Sequence, residues 1–228
     1  MGVKTKRPPG VVYRMVSVLV ALVMRAPLGT NLGLLRVMWA HPLEGVSIAS
    51  GRLLETRGAL IPALAATGLS QTEVGQAWHA SRYGRWQVNE LIDGLWEWGK
   101  REQAWETRRQ HGLRVCAIDM MGTYRPRLQS CQSGHYNSVA GKTLPAIEHG
   151  LIAEVVNTPG GRKAVLRQIV RMPTGSVRHK DLRRALVETA RRTQSDDEVS
   201  TADAEFSAAE MLAINAKPFV VRGDVMAP

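Results

Sequence analysis

The sequence has little cysteine and little negative charge, and each shortage excludes a class of protein. Two cysteines in 228 residues argue against a disulfide-built scaffold and fit a reducing cytosol. Cys131 and His135 lie near each other along the chain, but no second ligand pair completes a zinc site. Acidic side chains number 20 against 30 lysines and arginines, a net charge of +10. This excess favours a polyanionic partner, most commonly nucleic acid.

The sequence also lacks a hydrophobic run long enough to span a bilayer. The apolar stretch Met15–Met24 follows Lys4, Lys6 and Arg7 and so imitates a signal peptide. It is too short for a transmembrane helix, and no small-residue cleavage site follows it. We therefore expect a buried helix, no membrane contact and a cytoplasmic location. A secreted or membrane-attached helical protein is the least favoured alternative.

The first half of the chain has helical patterns throughout. Helices are predicted at 11–24, 32–39 and 53–66, each followed by proline or glycine. Ser70 and Glu73 have the spacing of a capping box, which predicts that a further helix begins at Ser70. A break at 81–85 and a helix at 86–106 complete a helical region that spans residues 1–111.

The last two of these helices resemble a helix-turn-helix, whose second helix can enter the major groove of DNA. Arg82, Arg85, Lys100 and Arg101 would then contact phosphates, while Gln87 and Asn89 could read base edges. An ordinary helical bundle with solvated charges explains the same pattern equally well. The region 1–111 is accordingly predicted to be all-α, with DNA binding as one of two interpretations.

Two aspartates in the second half stand where an apolar run stops. The run at 113–118, predicted to be a buried strand, ends at Asp119, and the weaker run at 199–202 ends at Asp203. If these strands are neighbours, their two carboxylates can share divalent metal ions. The alternative is a pair of surface aspartates that merely begin loops.

The order of predicted elements in residues 112–228 suggests a fold. Strands at 113–119, 151–156 and 164–171 come first, with a turn at 157–161 between the last two. A helix at 177–193 follows, with Leu182, Ala185, Leu186 and Ala190 on one apolar face, and then a strand that ends at Asp203, a helix at 207–214 and a strand at 219–222. This succession matches a ribonuclease-H-like domain, with metal-binding carboxylates on the first and fourth strands. The whole chain is therefore predicted to be α+β: a helix-turn-helix-like region, then an incomplete ribonuclease-H-like α/β domain with a mixed sheet.

A long loop is expected after the first strand, and long loops in compact domains are often functional. It carries Arg125, Arg127, His135 and Tyr136, which could grip DNA close to Asp119. Lys142 follows a glycine as in a phosphate-binding loop, but the glycine that motif needs at position 136 is a tyrosine. We expect Lys142 to contact DNA phosphate, with a solvated lysine and a loop of no function as the alternatives.

Three stretches resemble bacterial insertion-sequence transposases of the DDE type. They are Ala117–Pro126, Tyr136–Lys142, and Ala202–Phe206 followed by Phe219–Arg222. The resemblance implies that three acidic residues bind two Mg²⁺ (or Mn²⁺) ions, which activate the attacking hydroxyl and stabilise the leaving oxygen of a phosphodiester. Matched by motif, Asp119 is the first catalytic and metal-binding acid and Asp203 is the second. The implied partner is double-stranded DNA at transposon ends.

The third acid of that family is usually a glutamate on a helix well beyond the fifth strand. Glu205, Glu210 and Asp224 are poor matches for it, and the sequence stops at Pro228. We therefore expect the front half of a transposase that is inactive alone and acts as a homo-oligomer or with a complementing C-terminal half. The alternative is a non-catalytic DNA-binding fragment or regulator derived from a transposase.

Overall fold

The computed structural model describes residues 56, 60–66, 68–124, 133–173, 176–203, 205–213 and 218–222. The predicted helices at 11–24 and 32–39 lie outside these residues. The chain divides into two compact units, 1–102 and 103–228. The boundary predicted after residue 111 falls in a turn between two strands of the second unit. Among the described residues, no helix is both long and apolar enough to cross a membrane.

Three helices are described in the first unit: α1 (Leu60–Ala65), α2 (Gln71–Tyr83) and α3 (Val88–Arg101). The predicted capping box is confirmed. The Glu73 amide donates to Ser70 Oγ over 3.3 Å, and the Ser70 amide donates to Glu73 Oε2 over 3.1 Å. These two bonds satisfy amides that the first turn of a helix leaves without partners. Leu64 of α1 packs against Val74 and Ala77 of α2.

The break predicted at 81–85 is wrong in its position. Helix α2 continues to Tyr83, since Ser81 Oγ donates to the Ala77 carbonyl over 3.0 Å and its hydroxyl is satisfied inside the helix. The turn therefore comprises residues 84–87, where the Trp86 ring N–H donates to the Ala80 carbonyl over 3.0 Å. Helix α3 also ends earlier than predicted, at Arg101, because a strand already occupies 106–107.

The second unit is a mixed α+β structure with eight described strands and two described helices. The strands are β1 (Glu106–Thr107), β2 (Arg109–Gln110), β3 (Leu113–Tyr124), β4 (Gly134–Asn137), β5 (Lys142–Thr158), β6 (Gly161–Arg171), β7 (Glu198–Ala202) and β8 (Phe219–Val221). The helices are α4 (His179–Thr193) and α5 (Ala208–Ala213).

The sheet is built around β3. Five strands lie in the order β6-β5-β3-β7-β8, and β1, β2 and β4 pair with β5, β3 and β5 respectively. β5 is antiparallel to both β3 and β6, with a two-residue turn between β5 and β6 where one was predicted. β7 is parallel to both β3 and β8. The connection from β6 to β7 runs through α4, as a crossover to a parallel strand requires.

Two strands are longer than the apolar runs that predicted them. Asp119 is not at the end of its strand: β3 continues to Tyr124 because residues 116–124 all pair with β5. The expected loop around His135 and Tyr136 is wrong at those two positions, since both belong to β4, which forms a hairpin with the first residues of β5. Polar side chains at these positions conceal the strand pattern.

Helix α4 covers one face of the sheet. The predicted apolar face is present: Leu182, Leu186 and Ala190 are buried against Ile118 and Ile152 of the sheet. Close packing requires a glycine at position 150 of β5, because a Cβ there would lie 2.9 Å from the Leu186 side chain. Burial of each leucine contributes about 1.5–3 kcal/mol.

A second group of buried residues is ionic. Glu198 of β7 is 1% exposed and contacts Arg114 of β3 (3.0 Å) and Arg167 of β6. Glu154 of β5 is 2% exposed and lies 3.4 Å from Arg114. Arg114 also pairs with Asp197 at 3.0 Å. The network joins four neighbouring strands, and its charges neutralise one another where water has little access.

The substitution Glu198→Gln tests how much this ionic network contributes to the stability of the fold. It removes the nearest carboxylate of Arg167 and one carboxylate of Arg114, and leaves Arg167 with Glu154 at 3.9 Å, so we expect a loss of about 3 kcal/mol in the free energy of unfolding, measured with urea. The matched control is Glu188→Gln, which breaks the exposed Arg184–Glu188 pair and should cost about 0.5 kcal/mol. Equal losses in the two variants would contradict the assigned role.

The Asp197 carboxylate gives the network a pH dependence. Hydrogen bonds from Arg114, Ser195 and Arg109 hold its pKa well below the ordinary value of 3.8. A depressed pKa in the folded state stabilises the protein above the unfolded-state pKa, and the contribution is lost as pH falls through the folded value. The difference in unfolding free energy between wild type and Asp197→Asn should therefore be larger at about pH 7 than at about pH 3. A difference that grows on acidification would contradict this.

Candidate functional site

Strand pairing brings the two predicted aspartates to neighbouring positions. Ile118 of β3 pairs with Ala202 of β7 in parallel register, and Asp119 and Asp203 are the residues that follow. Asp119 Oδ1 accepts a hydrogen bond from the Met120 amide over 2.8 Å. Asp203 Oδ1 accepts one from the Glu205 amide over 3.0 Å, which fixes the turn after β7. Both carboxylates are thus held by the backbone next to the same pair of strands.

The pKa of Asp119 is raised above its ordinary value by burial and by neighbouring acidic side chains. Partial burial raises its pKa most, the Met120 amide opposes that rise, and the negative charges of Asp203 and Glu205 raise the pKa further. His135 acts in the opposite direction. Burial and like charges both disfavour the ionised form, so a bound cation would relieve the repulsion.

A second group of ligating side chains lies on the other face of β3 and β5. Glu148 of β5 is opposite Gly122 of β3, and its side chain is 1% exposed. Its Oε1 lies 2.6 Å from His179 Nδ1 and 3.4 Å from His135 Nδ1. Its Oε2 is buried and has no hydrogen-bond partner. One ligating atom of each of these three residues lies within 4.8 Å of the others.

Four separate chain segments position this His135–Glu148–His179 cluster. His135 comes from β4, Glu148 from β5 and His179 from the first turn of α4. Glu205, from the segment after β7, contacts His179 Nε2. Burial alone would lower the pKa of His179, but hydrogen bonds to Glu148 and Glu205 outweigh that effect and raise it. His179 is therefore held between two carboxylates that favour its charged form.

The predicted DNA contacts in the first unit do not form one patch. Arg82 lies at the end of α2 with its guanidinium 5.1 Å from the Trp78 ring centre, and Arg85 and Gln87 are exposed in the turn that follows. Asn89 is half-buried near the start of α3. Lys100 and Arg101 are at the other end of that helix, about 20 Å away. Arg101 also pairs with Glu102 at 3.1 Å.

The described DNA-contact candidates of the second unit, His135, Tyr136 and Lys142, lie on one hairpin formed by β4 and the start of β5. Tyr136 is exposed on β4, where its carbonyl accepts a hydrogen bond from the Tyr124 hydroxyl over 2.6 Å. Lys142 is exposed as the first residue of β5, not part of a phosphate-binding loop. Arg125 and Arg127 lie outside the described residues. The His135 ring lies 3.4 Å from the Glu148 carboxylate.

Two other side chains that could react or bind metal, Cys116 and Glu210, have structural roles. Burial raises the pKa of the Cys116 thiol to about 11, which removes it as a nucleophile at neutral pH. Glu210 accepts from Arg183 over 2.7 Å and from the Ser207 amide over 3.1 Å, so it caps α5 and holds that helix to α4. Both roles are structural.

Sequence reasoning missed Glu148 and left His179 unassigned. A usable signal exists in the alternation along β5, where residues 146, 148, 150 and 152 are buried and 147 is exposed. An acid at an inward position of a strand is costly unless something binds it. His179 has no comparable signal, because its ligating role depends on the start of α4 meeting β5.

Comparison of the sequence with models of known protein families and with curated proteins returned no match.

Gly122 is required for the position of His135, and this can be tested. A Cβ at residue 122 would lie 2.6 Å from the His135 Cβ. Gly122→Ala should therefore displace β4 and cost about 1–3 kcal/mol in the free energy of unfolding, measured with urea. Gly160→Ala is the control, since the nearest atom to its Cβ would be Thr158 Oγ1 at 3.8 Å. If the two variants are equally stable, His135 is not packed on Gly122.

Proposed function

We propose that the protein binds double-stranded DNA and uses Asp119 and Asp203 to hold divalent metal for phosphodiester cleavage and transfer, as a DDE-type transposase or a part of one. The observation that carries the proposal is the parallel pairing of β3 with β7, which ends at Ile118 and Ala202, the residues directly before the two aspartates. The proposal includes a cytoplasmic location, supported by the low cysteine content.

Strand order supports the ribonuclease-H-like part of the proposal. The five main strands are, in chain order, β3, β5, β6, β7 and β8. In the sheet they lie in the order β6-β5-β3-β7-β8, so the third strand along the chain is at one edge, the first is central and the fifth is at the other edge. The first strand is parallel to the fourth, and a helix connects the third to the fourth. With Asp119 on the first strand and Asp203 directly after the fourth, this arrangement supports a ribonuclease-H-like domain.

The donor set suits Mg²⁺ or Mn²⁺. Both ions prefer carboxylate oxygens, which Asp119 supplies from strand β3 and Asp203 from the turn directly after β7. Within the described part of the chain, the arginine ion pairs of this unit are with other carboxylates, such as Asp197 and Glu210. A bound ion would activate an attacking hydroxyl and stabilise the leaving oxygen. The chain's own contribution is orientation: the Met120 and Glu205 amides hold the two carboxylates in place.

The resemblance also implies a third acid. Glu210 is unsuitable because Arg183 and Ser207 occupy its carboxylate. Glu205 influences the pKa of Asp119, but its carboxylate contacts His179. A homo-oligomer or a complementing chain that supplies the third acid therefore remains part of the proposal.

DNA binding is supported by charge. The net charge of +10 favours association with phosphates, and Arg82, Arg85 and Gln87 are exposed around the turn between α2 and α3. The second candidate function, a DNA-binding protein without catalysis, is favoured by the same charge and by the occupied state of Glu210. The two candidates differ in whether metal on the aspartates affects the DNA complex.

Metal-dependent DNA binding distinguishes the two candidates. In EDTA, the carboxylates repel phosphate, so Asp119→Asn and Asp203→Asn should each bind a mixed-sequence duplex about 2–5 times more tightly than wild type. Added Mg²⁺ should tighten the wild-type complex and leave that of the variants unchanged. Fluorescence anisotropy of a labelled duplex at several salt concentrations measures both effects, with Glu188→Gln as control.

Three results are informative. Wild-type binding that weakens with salt and tightens with Mg²⁺ through both aspartates supports the proposal, as does Mn²⁺-dependent nicking of supercoiled plasmid that either variant abolishes. Salt-sensitive binding that neither Mg²⁺ nor the variants affect favours the non-catalytic DNA-binding protein. No binding at low salt contradicts both.

A further inference from the structure

The His135–Glu148–His179 cluster has the composition of a transition-metal site. We propose that these three residues bind one Zn²⁺ ion, separately from the oxygen-only pair Asp119 and Asp203. The inference does not depend on the proposed function, because it rests on different residues on the other face of the sheet.

The donor atoms decide the kind of metal. Two imidazole nitrogens and one carboxylate oxygen suit Zn²⁺, which accepts nitrogen and oxygen ligands in a tetrahedral arrangement. Mg²⁺ requires near-octahedral oxygen coordination and keeps most of its water, so a half-buried pair of histidines disfavours it. Three protein ligands leave one coordination position for water or for a fourth ligand.

The buried Glu148 carboxylate independently indicates a missing ligand. Its side chain is 1% exposed, and Oε2 has no hydrogen-bond partner, although Oε1 contacts both histidines. A buried carboxylate oxygen without a partner costs more than an ordinary unmade hydrogen bond, since it carries charge. A metal ion bound by both carboxylate oxygens of Glu148 would satisfy Oε2 together with Oε1.

An outer carboxylate already orients one of the histidines. Glu205 contacts His179 Nε2, so Nδ1 is the nitrogen directed towards Glu148. Metal-bound histidines usually have their second nitrogen held by a carboxylate in this way. Glu205 therefore occupies the position that supports a ligand, and His179 Nδ1 the position of the ligand itself.

The distances from Glu148 to the two histidines can be compared with those around a bound ion. Ligands bonded at about 2.0 Å to a tetrahedral ion lie about 3.3 Å apart. The separation of His135 Nδ1 from Glu148 Oε1, 3.4 Å, already meets this value. His179 Nδ1, at 2.6 Å from the same oxygen, forms a hydrogen bond that the ion would replace. Bound Zn²⁺ would connect β4, β5 and the start of α4 by coordination bonds.

Metal titration of the untagged full chain tests the site. After removal of metals with a chelator, isothermal titration with Zn²⁺ should give one site per chain that involves these residues, and Co²⁺ should give the visible absorption of a tetrahedral complex. His135→Ala, His179→Ala and Glu148→Gln should each weaken Zn²⁺ binding by about 100-fold or more. Zn²⁺ should also raise the melting temperature of wild type.

Two controls separate this site from its surroundings. His149→Ala changes the histidine next to Glu148 on the same strand, and it should bind Zn²⁺ as wild type does. Asp119→Asn should also retain Zn²⁺ binding. A result that contradicts the proposed role of Asp119 and Asp203 would therefore leave Zn²⁺ binding at this site unaffected, and the two proposals can be tested separately. Millimolar Mg²⁺ should not displace the bound Zn²⁺.

Several results would overturn the inference. They are the absence of Zn²⁺ binding in wild type, Zn²⁺ binding that the three variants leave intact, and loss of binding in His149→Ala or Asp119→Asn. The cluster would then be a hydrogen-bonded group of charges with no metal. If His179→Ala proves unfolded by circular dichroism, His135→Ala decides the question, because His135 lies on the short strand β4 and not in the helical core contact.

Discussion

The parallel pairing of β3 with β7 is the constraint on which the second unit depends. It joins residues that are distant in sequence, and it is possible only because α4 carries the chain back across the sheet. The apolar face of α4 buries Leu182 and Leu186 against β3 and β5, so the helix that makes the connection also supplies the core. The same register sets Asp119 beside Asp203. A single slip along β7 would separate the two aspartates and move Ser200 and Glu198 to the opposite face.

The two faces of the sheet carry different chemistry. On one, carboxylates near Asp119 supply oxygen alone; on the other, Glu148 is combined with two imidazoles. Glu205 connects them, because it influences the pKa of Asp119 and contacts His179. His135, a member of the cluster, also influences the pKa of Asp119. The buried network of Arg114, Glu154 and Glu198 lies farther along the strands, where its charges are already balanced.

The order of helices and strands along the chain could largely be predicted from the sequence, whereas the residues at which the strands begin and end could not. The Ser70 capping box, the turn between β5 and β6 and the buried side of α4 follow from local rules, and the structure agrees with each. The limits of β3, β4 and β5 depend on strand pairing, so polar residues such as Asp119 and His135 remain within strands despite their local preference. The pair Asp119 and Asp203 was identifiable from two apolar runs. The His135–Glu148–His179 cluster was not, because its members come from three elements that meet only in the folded sheet.

The length of β5 determines how the backbone amides at its centre can become exposed to solvent. Its 17 residues pair with β3 on one side and β6 on the other, and its two ends also bind β4 and β1. Residues 149–154 therefore have a bonded strand on both sides, and no partial separation of the sheet can expose their amides without breaking a whole ladder. Hydrogen exchange at these amides should proceed only through global unfolding, whereas the short strands β1, β2 and β8 exchange through local fraying. The middle of β5 thus reports the stability of the entire unit.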